Sequence, residues 1–298
     1  ELSNANGLTA WRQSAYNIRQ FKKSYRHIQR LRHSTSKDPD KKEAKRTEIE
    51  QAHEASLELA EGFLERAADT RHYLEIGCGI LPIFLGTLDG YITHAERQID
   101  QIRRRVLYGE VIPHQEKVFS IFQPHTEWIV KGKAGVPVEL GLRVCVVDDR
   151  YGFILHHQVM EKTTDDKIAV SIVKEAKQRF PLLSCVSFDK GFHSASNQTD
   201  LAATLDRVVL PKKGRLSVAD KAREQDPEFV RLRHGHSAVE SAINALEVHG
   251  LDRCPDHGID GFKRYVSLAV VARNIHHLGV VLHRQEKERE RGPYKKAA

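Results

Sequence analysis

Apolar and polar residues alternate with a helical period through the first third of the chain. Tyr16, Phe21, Tyr25, Ile28 and Leu31 recur at roughly helical spacing in a basic background. Lys37-Asp-Pro-Asp40 interrupts that pattern and caps a second helix, rich in Glu, Ala and Leu, that runs to about Ala68. A third stretch, Ile92 to Tyr108, alternates in charge sign and ends at Gly109. Its arginines (Arg97, Arg103, Arg104, Arg105) face either a phosphate backbone or water. Residues 1–110 are therefore expected to form a basic helical region.

The texture changes at Val111. Val118–Phe122, Leu140–Val147 and Phe153–Met160 read as strands, with Asp148-Asp-Arg-Tyr-Gly152 as a hairpin turn between the last two. Thr163-Thr-Asp-Asp166 is a helix N-cap before Lys167–Phe180, and Pro181 stops that helix. A strand at Ser184–Phe188, a helix from about Ala195 to Leu205 and a strand at Arg207–Leu210 follow. The basic loop Pro211-Lys-Lys-Gly-Arg215 leads to helices at Ser237–Val248 and Phe262 to about Leu282. Antiparallel strands followed by helix, strand, helix, strand and helix are the order of an RNase H-like fold, a mixed α/β sheet flanked by helices. That core is expected over residues 111–282, with a charged basic tail at 283–298.

Charge sharpens the picture. The net charge of +7 is unevenly spread: Trp11–Arg46 carries twelve Lys/Arg against three Asp/Glu, and Arg284–Ala298 six against three. Basic blocks of this kind suit a polyanion such as nucleic acid, or an anionic membrane surface, or else a solvated helix face. The four cysteines (Cys78, Cys145, Cys185, Cys254) form no C-x-x-C pair, so they indicate neither a zinc site nor a disulfide framework. Cys145 and Cys185 lie in apolar runs and read as buried thiols in a reducing cytoplasm. The apolar runs are shorter than the roughly 20 residues of a membrane span, and no signal peptide is visible.

Candidate chemistry centres on two acids. Val186-Ser-Phe-Asp189-Lys-Gly-Phe192 ends a strand in an aspartate followed by a glycine turn. His236-Ser-Ala-Val-Glu240-Ser-Ala-Ile-Asn244 places a glutamate on an amphipathic helix behind Arg231 and Arg233. Two-metal phosphoryl transfer needs hard carboxylate oxygens, delivered from different elements, to hold a pair of Mg²⁺ ions. An acid at a strand's C-terminal end and one on a later helix meet that requirement, although spacing alone leaves both open as surface charge. Lys131, Lys133, Lys212, Lys213 and Arg215 sit in glycine-containing loops suited to phosphate contact, and Arg231 and Arg233 to gripping the backbone beside a cleavage point. His125, Glu127 and Trp128 read either as DNA-orienting groups or as a packed strand end, and His193 as a phosphate contact or, preferably, a turn residue.

Gln123-Pro-His-Thr-Glu-Trp-Ile-Val-Lys-Gly-Lys133, Val138-Glu-Leu-Gly141, Ser187-Phe-Asp-Lys-Gly-Phe-His193, Leu210-Pro-Lys-Lys-Gly214 and His236–Asn244 resemble DDE transposases of bacterial insertion sequences, of the ISNCY type. The likeness runs from about Trp11 to the tail. It implies an enzyme that cuts and joins double-stranded DNA at terminal inverted repeats and target sites with Mg²⁺ or Mn²⁺. It further implies a homodimer, no membrane, and Asp189 and Glu240 as the second and third catalytic, metal-binding acids. The first acid of such a triad is expected on an opening strand, and no Asp lies in residues 1–20. It is expected upstream of Glu1, in which case the chain is inactive by itself; Glu127 or Asp149 is the internal alternative.

Two other readings stay open. One is a DNA-binding transposase remnant without catalysis. The other, more distant, is an S-adenosylmethionine-dependent methyltransferase, suggested by Tyr73-Leu-Glu-Ile-Gly-Cys-Gly-Ile80. Such a glycine loop requires an apolar strand before it.

Overall fold

The computed structural model describes residues 2–33, 38–130, 138–236, 243–251 and 253–291. The chain divides into two compact units, Glu1–Thr126 and Glu127–Ala298.

The first unit is helical: α1 (Leu2–Ala5), α2 (Ser14–His33), α3 (Pro39–Ile76) and α4 (Pro82–Ile102), closed by a π-helical turn at Arg103–Leu107. Asp38 starts α3 by accepting a hydrogen bond from Asp40 N–H, and Pro39 presets the first helical φ. The glycine motif after α3 is a helix-to-helix turn. Ile80 N–H returns to the Leu74 carbonyl, Gly79 adopts φ +66°, and Pro82 opens α4. Tyr73–Ile76 form the last turn of α3, so the strand required by the methyltransferase reading is a helix.

The helical spacing of apolar residues in α2 does not by itself mark its buried side. Ile28 is buried, whereas Tyr16, Phe21 and Tyr25 stay exposed with Ile18. Trp11, just before α2, anchors instead to α3: its indole N–H donates to Thr70 Oγ1 at 2.9 Å and the Arg66 guanidinium stacks on its ring.

The boundary between the units falls later than the change of sequence texture. Residues 111–126 pack back on α4, where Ile112 and Val118 are buried. Val118–Phe122 is not a strand. The Gln101 amide donates to the Val118 carbonyl (3.3 Å) and accepts from Val118 N–H (2.8 Å), and Phe122 stacks edge-on against Tyr91. Side chains thus satisfy backbone groups that a ladder would otherwise pair.

The second unit mixes helix and strand. β1 (Glu127–Val130) and β2 (Val138–Gly141) pair antiparallel, as do β3 (Arg143–Asp148) and β4 (Ile154–Met160). After α5 (Asp165–Arg179) come β5 (Cys185–Ser187), α6 (Ala195–Ala202) and β6 (Arg207–Val209); β5 and β6 run parallel, Ser187 opposite Val209. Among the described residues these are three two-stranded ladders, not the single mixed sheet that the strand order suggested. Two short helices missed in the sequence, α7 (Val218–Gln225) and α8 (Pro227–Gly235), precede the helical residues 243–251 and the long α9 (Gly258–Arg291). The residues read as the start of a charged tail thus continue α9 to Arg291.

Two clusters hold this unit together. Cys145 and Val147 of β3, Met160 of β4, Val186 and Phe188 beside β5, and Leu201 of α6 meet Ile168, Ala169, Ile172 and Val173 of α5. The opposite face of the hairpin, Val146 and Ile154, packs on Leu246, Ala269 and Val270. A bulge at Val147/Asp148 makes this possible. It flips the parity of β4, so Ile154 faces α9 while His156, two residues on, turns to Glu175 of α5 at 3.1 Å. The adjacent His157 then faces α9, 3.1 Å from Ser267 Oγ.

Candidate functional site

Asp189 lies just past the C-terminal end of β5. Phe188 before it is buried in the α5 cluster and donates its N–H to the Val209 carbonyl at 2.9 Å. The 3₁₀ turn Lys190–Phe192 after it is tied down by the buried Asn197, whose amide donates to the Asp166 (2.6 Å) and Phe192 (2.8 Å) carbonyls. Between these anchors Asp189 is exposed, and the contact made by its carboxylate is local: Oδ1 accepts from Lys190 N–H at 2.7 Å. The acid is held on a rigid mount but points to water.

Gly191 fits this mount because it is glycine. A Cβ there would come within 2.7 Å of Asp165 Oδ2, so the turn lies flat against the start of α5. Asp165 Oδ1 is 3.7 Å from Arg143 Nη1, and Arg143 also donates to the Thr163 carbonyl. Asp166 is held below the usual carboxylate range, first by a hydrogen bond from Thr164 and more weakly by Lys167 and Lys213. The charge of Lys213 is therefore felt at the α5 N-terminus. Because β5 and β6 are parallel, Asp189 and the Pro211–Arg215 loop leave the same end of the pair. Open α/β sheets bind ligands at such strand ends.

The other sequence candidates are placed as follows. Lys213 and Arg215 are exposed in that loop. Lys212 is committed internally: its Nζ pairs with Asp220 and its N–H donates to Glu224 Oε1 at 2.7 Å. Arg231 is exposed on α8, 3.7 Å from Glu228, and its charge acts on Cys185 at the far end of β5 from Asp189. Arg233 is exposed in the last turn of α8. Glu240, Lys131 and Lys133 lie outside the described residues.

Among the internal alternatives for a first acid, Glu127 accepts from Lys162 N–H, and Asp149 Oδ1 accepts from Tyr151 and Phe153 N–H, both at 2.9 Å. Glu127 is engaged in a long-range contact and Asp149 in its local turn. Asp148, read in the sequence only as a turn residue, is different. It closes β3, and burial raises its carboxyl pKa, an effect partly opposed by nearby His236. An Asp-Asp pair at a strand end was the one signal available for it.

Mg²⁺ asks for hard oxygen donors. Asp189 supplies such a donor in an accessible position, but among the described residues no three His, Cys, Asp or Glu side chains gather into a metal-holding group. Two of the four thiols are held protonated: burial pushes Cys145 up to about 12 and raises Cys185 as well.

The arginines ending the first unit are internally paired. Arg103 binds Glu61 at 2.7 Å, and Arg104 joins Asp100, Glu110 and Glu116 at 3.2, 2.8 and 3.0 Å. Comparison with known proteins finds no family model, curated protein or solved structure that matches the chain.

Proposed function

We propose that this chain is the RNase H-like core, with its helical basic region, of a DDE transposase that cleaves and joins double-stranded DNA. The carrying observation is the strand-end geometry. An exposed aspartate on an anchored turn leaves a parallel strand pair at the same end as a basic loop. In this reading Asp189 and Glu240 hold the metal, while Lys213 and Arg215 neutralise DNA phosphates. Phosphate contacts of this sort position the duplex without reading sequence. When bound, Mg²⁺ or Mn²⁺ supplies activation of the attacking oxygen and charge neutralisation at the scissile phosphate. The Phe188 and Phe192 anchors keep the Asp189 carboxylate in place while DNA enters. The protein acts as a homodimer on terminal inverted repeats and target DNA, in the cytoplasm.

A DNA-binding remnant without catalysis is the second reading, in which Asp189 stays an exposed strand-end acid and Lys213 and Arg215 still meet DNA. Incubation with supercoiled plasmid and with inverted-repeat DNA separates the two. A protein carrying all three acids of the triad nicks or joins DNA in Mg²⁺ or Mn²⁺ and loses this with Asp189→Ala. Binding with no metal-dependent cleavage in the intact protein supports the remnant and defeats the enzyme.

A further inference from the structure

The outer face of α9 carries a second pattern that the core does not use. Leu268, Val271, Ile275, Leu278 and Leu282 follow one another in steps of three and four residues along one uninterrupted helix. All five are exposed, Leu268 at 66% and Ile275 at 65%, while the residues facing the core are Val266, Ala269 and Val270. Steps of three and four describe the a and d positions of a coiled-coil seam, the stripe that a second helix covers by knobs-into-holes packing. On one flank, seven residues apart, lie Ala272 and Gly279, both exposed; a Cβ at Gly279 would meet nothing within 4 Å. Small flanking residues let a neighbouring helix approach closely.

By length and mean hydropathy alone, Gly258–Glu290 is also long and apolar enough to cross a membrane. Its other face argues for a protein partner. The Asn274 amide clamps both backbone groups of Ile154 at 2.9 Å, and His277 Nε2 lies 2.6 Å from the Tyr151 carbonyl, against the exposed hairpin turn. A helix fastened to a polar hairpin between Lys263 and His277 is not surrounded by lipid over that stretch.

We infer that this face pairs with the same face of a second copy of the chain, forming a two-fold helical interface centred on Ile275. The seam is nearly symmetric about that residue: Leu268 and Leu282 lie seven positions to either side, and Val271 and Leu278 four and three. Such a stripe is self-complementary, as a two-fold interface requires. Five half-exposed aliphatic side chains bury on the order of 500 Å² per helix, or about 1,000 Å² for the pair, the lower bound of a specific interface. The inference gives the proposed homodimer its interface but is argued from the α9 stripe alone, since pairing through α9 needs neither metal nor DNA.

The test is sedimentation of the intact protein, without DNA or metal, alongside Leu268→Glu/Ile275→Glu. The wild type sediments as a dimer and the double variant as a monomer, its dimer dissociation constant raised at least a hundredfold. Circular dichroism of the variant remains native because both side chains are exposed. In Ile275→Cys, oxidation gives a disulfide-linked dimer absent from the wild type, since parallel and antiparallel seams both place this residue opposite itself. A monomeric wild type at tens of micromolar, a dimer indifferent to the double substitution, or seam-dependent flotation with phosphatidylcholine vesicles overturns the inference.

Discussion

The second unit presents aspartates at both ends of its strands, and the two ends use them differently. At the hairpin end Asp149 spends its carboxylate on Tyr151 and Phe153 N–H, and Asp148 is half-buried beside His236. At the other end Asp189 is exposed, bonded to its neighbour's N–H, and locked between Phe188 and the turn held by Asn197. The same residue type organises backbone in one place and is held ready for something outside the chain in the other. Rigidity without internal employment is what separates a candidate ligand from a turn former.

The largest effect should come from Asp189→Ala. Metal-dependent nicking falls by on the order of a thousandfold or more, while the melting temperature moves by no more than about 2 °C, because only one local hydrogen bond is lost. Parallel loss of both quantities would make Asp189 structural and erase the contrast. Asp149→Ala should do the reverse, costing about 2 kcal/mol in urea unfolding through its two lost acceptor bonds and leaving DNA cleavage at the wild-type rate.

A double change of Lys213 and Arg215 to Ala should weaken DNA binding about tenfold near 0.15 M salt and make the log–log salt slope shallower by about two. Changing the internally paired Lys212 alone should leave that slope unaltered. The smallest effect belongs to Asp148→Asn. Burial raises the Asp148 pKa, so the folded state holds this proton more tightly than the unfolded chain does. That contribution favours folding at low pH and is lost as pH rises through the carboxylate range. At pH 7 the Asn variant should therefore melt about 2 °C higher than the wild type, with the gain vanishing by about pH 3.8.

Much of this architecture could be read from residue pattern. Asp38-Pro39 and the Asp148–Gly152 turn are local signals that formed where expected, and α5 starts beside Thr163-Thr-Asp-Asp166, although Thr164 makes no side-chain cap bond and α3 runs on to Ile76. What failed depended on distant partners. Tyr16, Phe21 and Tyr25 share the helical spacing of Ile28, yet of these only Ile28 is buried. Val118–Phe122 has strand composition but is captured by the side chain of Gln101. α7 and α8 carry little apolar periodicity; their capping signals, Ser217 with Asp220 and Asp226 before Pro227, were present but overlooked. For the candidate site, the acid and its glycine turn were legible from Asp189 and Gly191. That Lys212 is consumed by Asp220 while Lys213 stays exposed was not, because the two differ only in what folds against them.

Mn²⁺ binding to the intact protein, followed by electron paramagnetic resonance for the wild type and Asp189→Asn, tests the central claim without relying on turnover. The Asn side chain keeps the shape and an acceptor for Lys190 N–H but removes the charged oxygen donor. Specific binding in the wild type, weakened at least about tenfold in a variant with unchanged melting, is the predicted result. Equal Mn²⁺ affinity in both proteins would contradict a metal-holding role for Asp189.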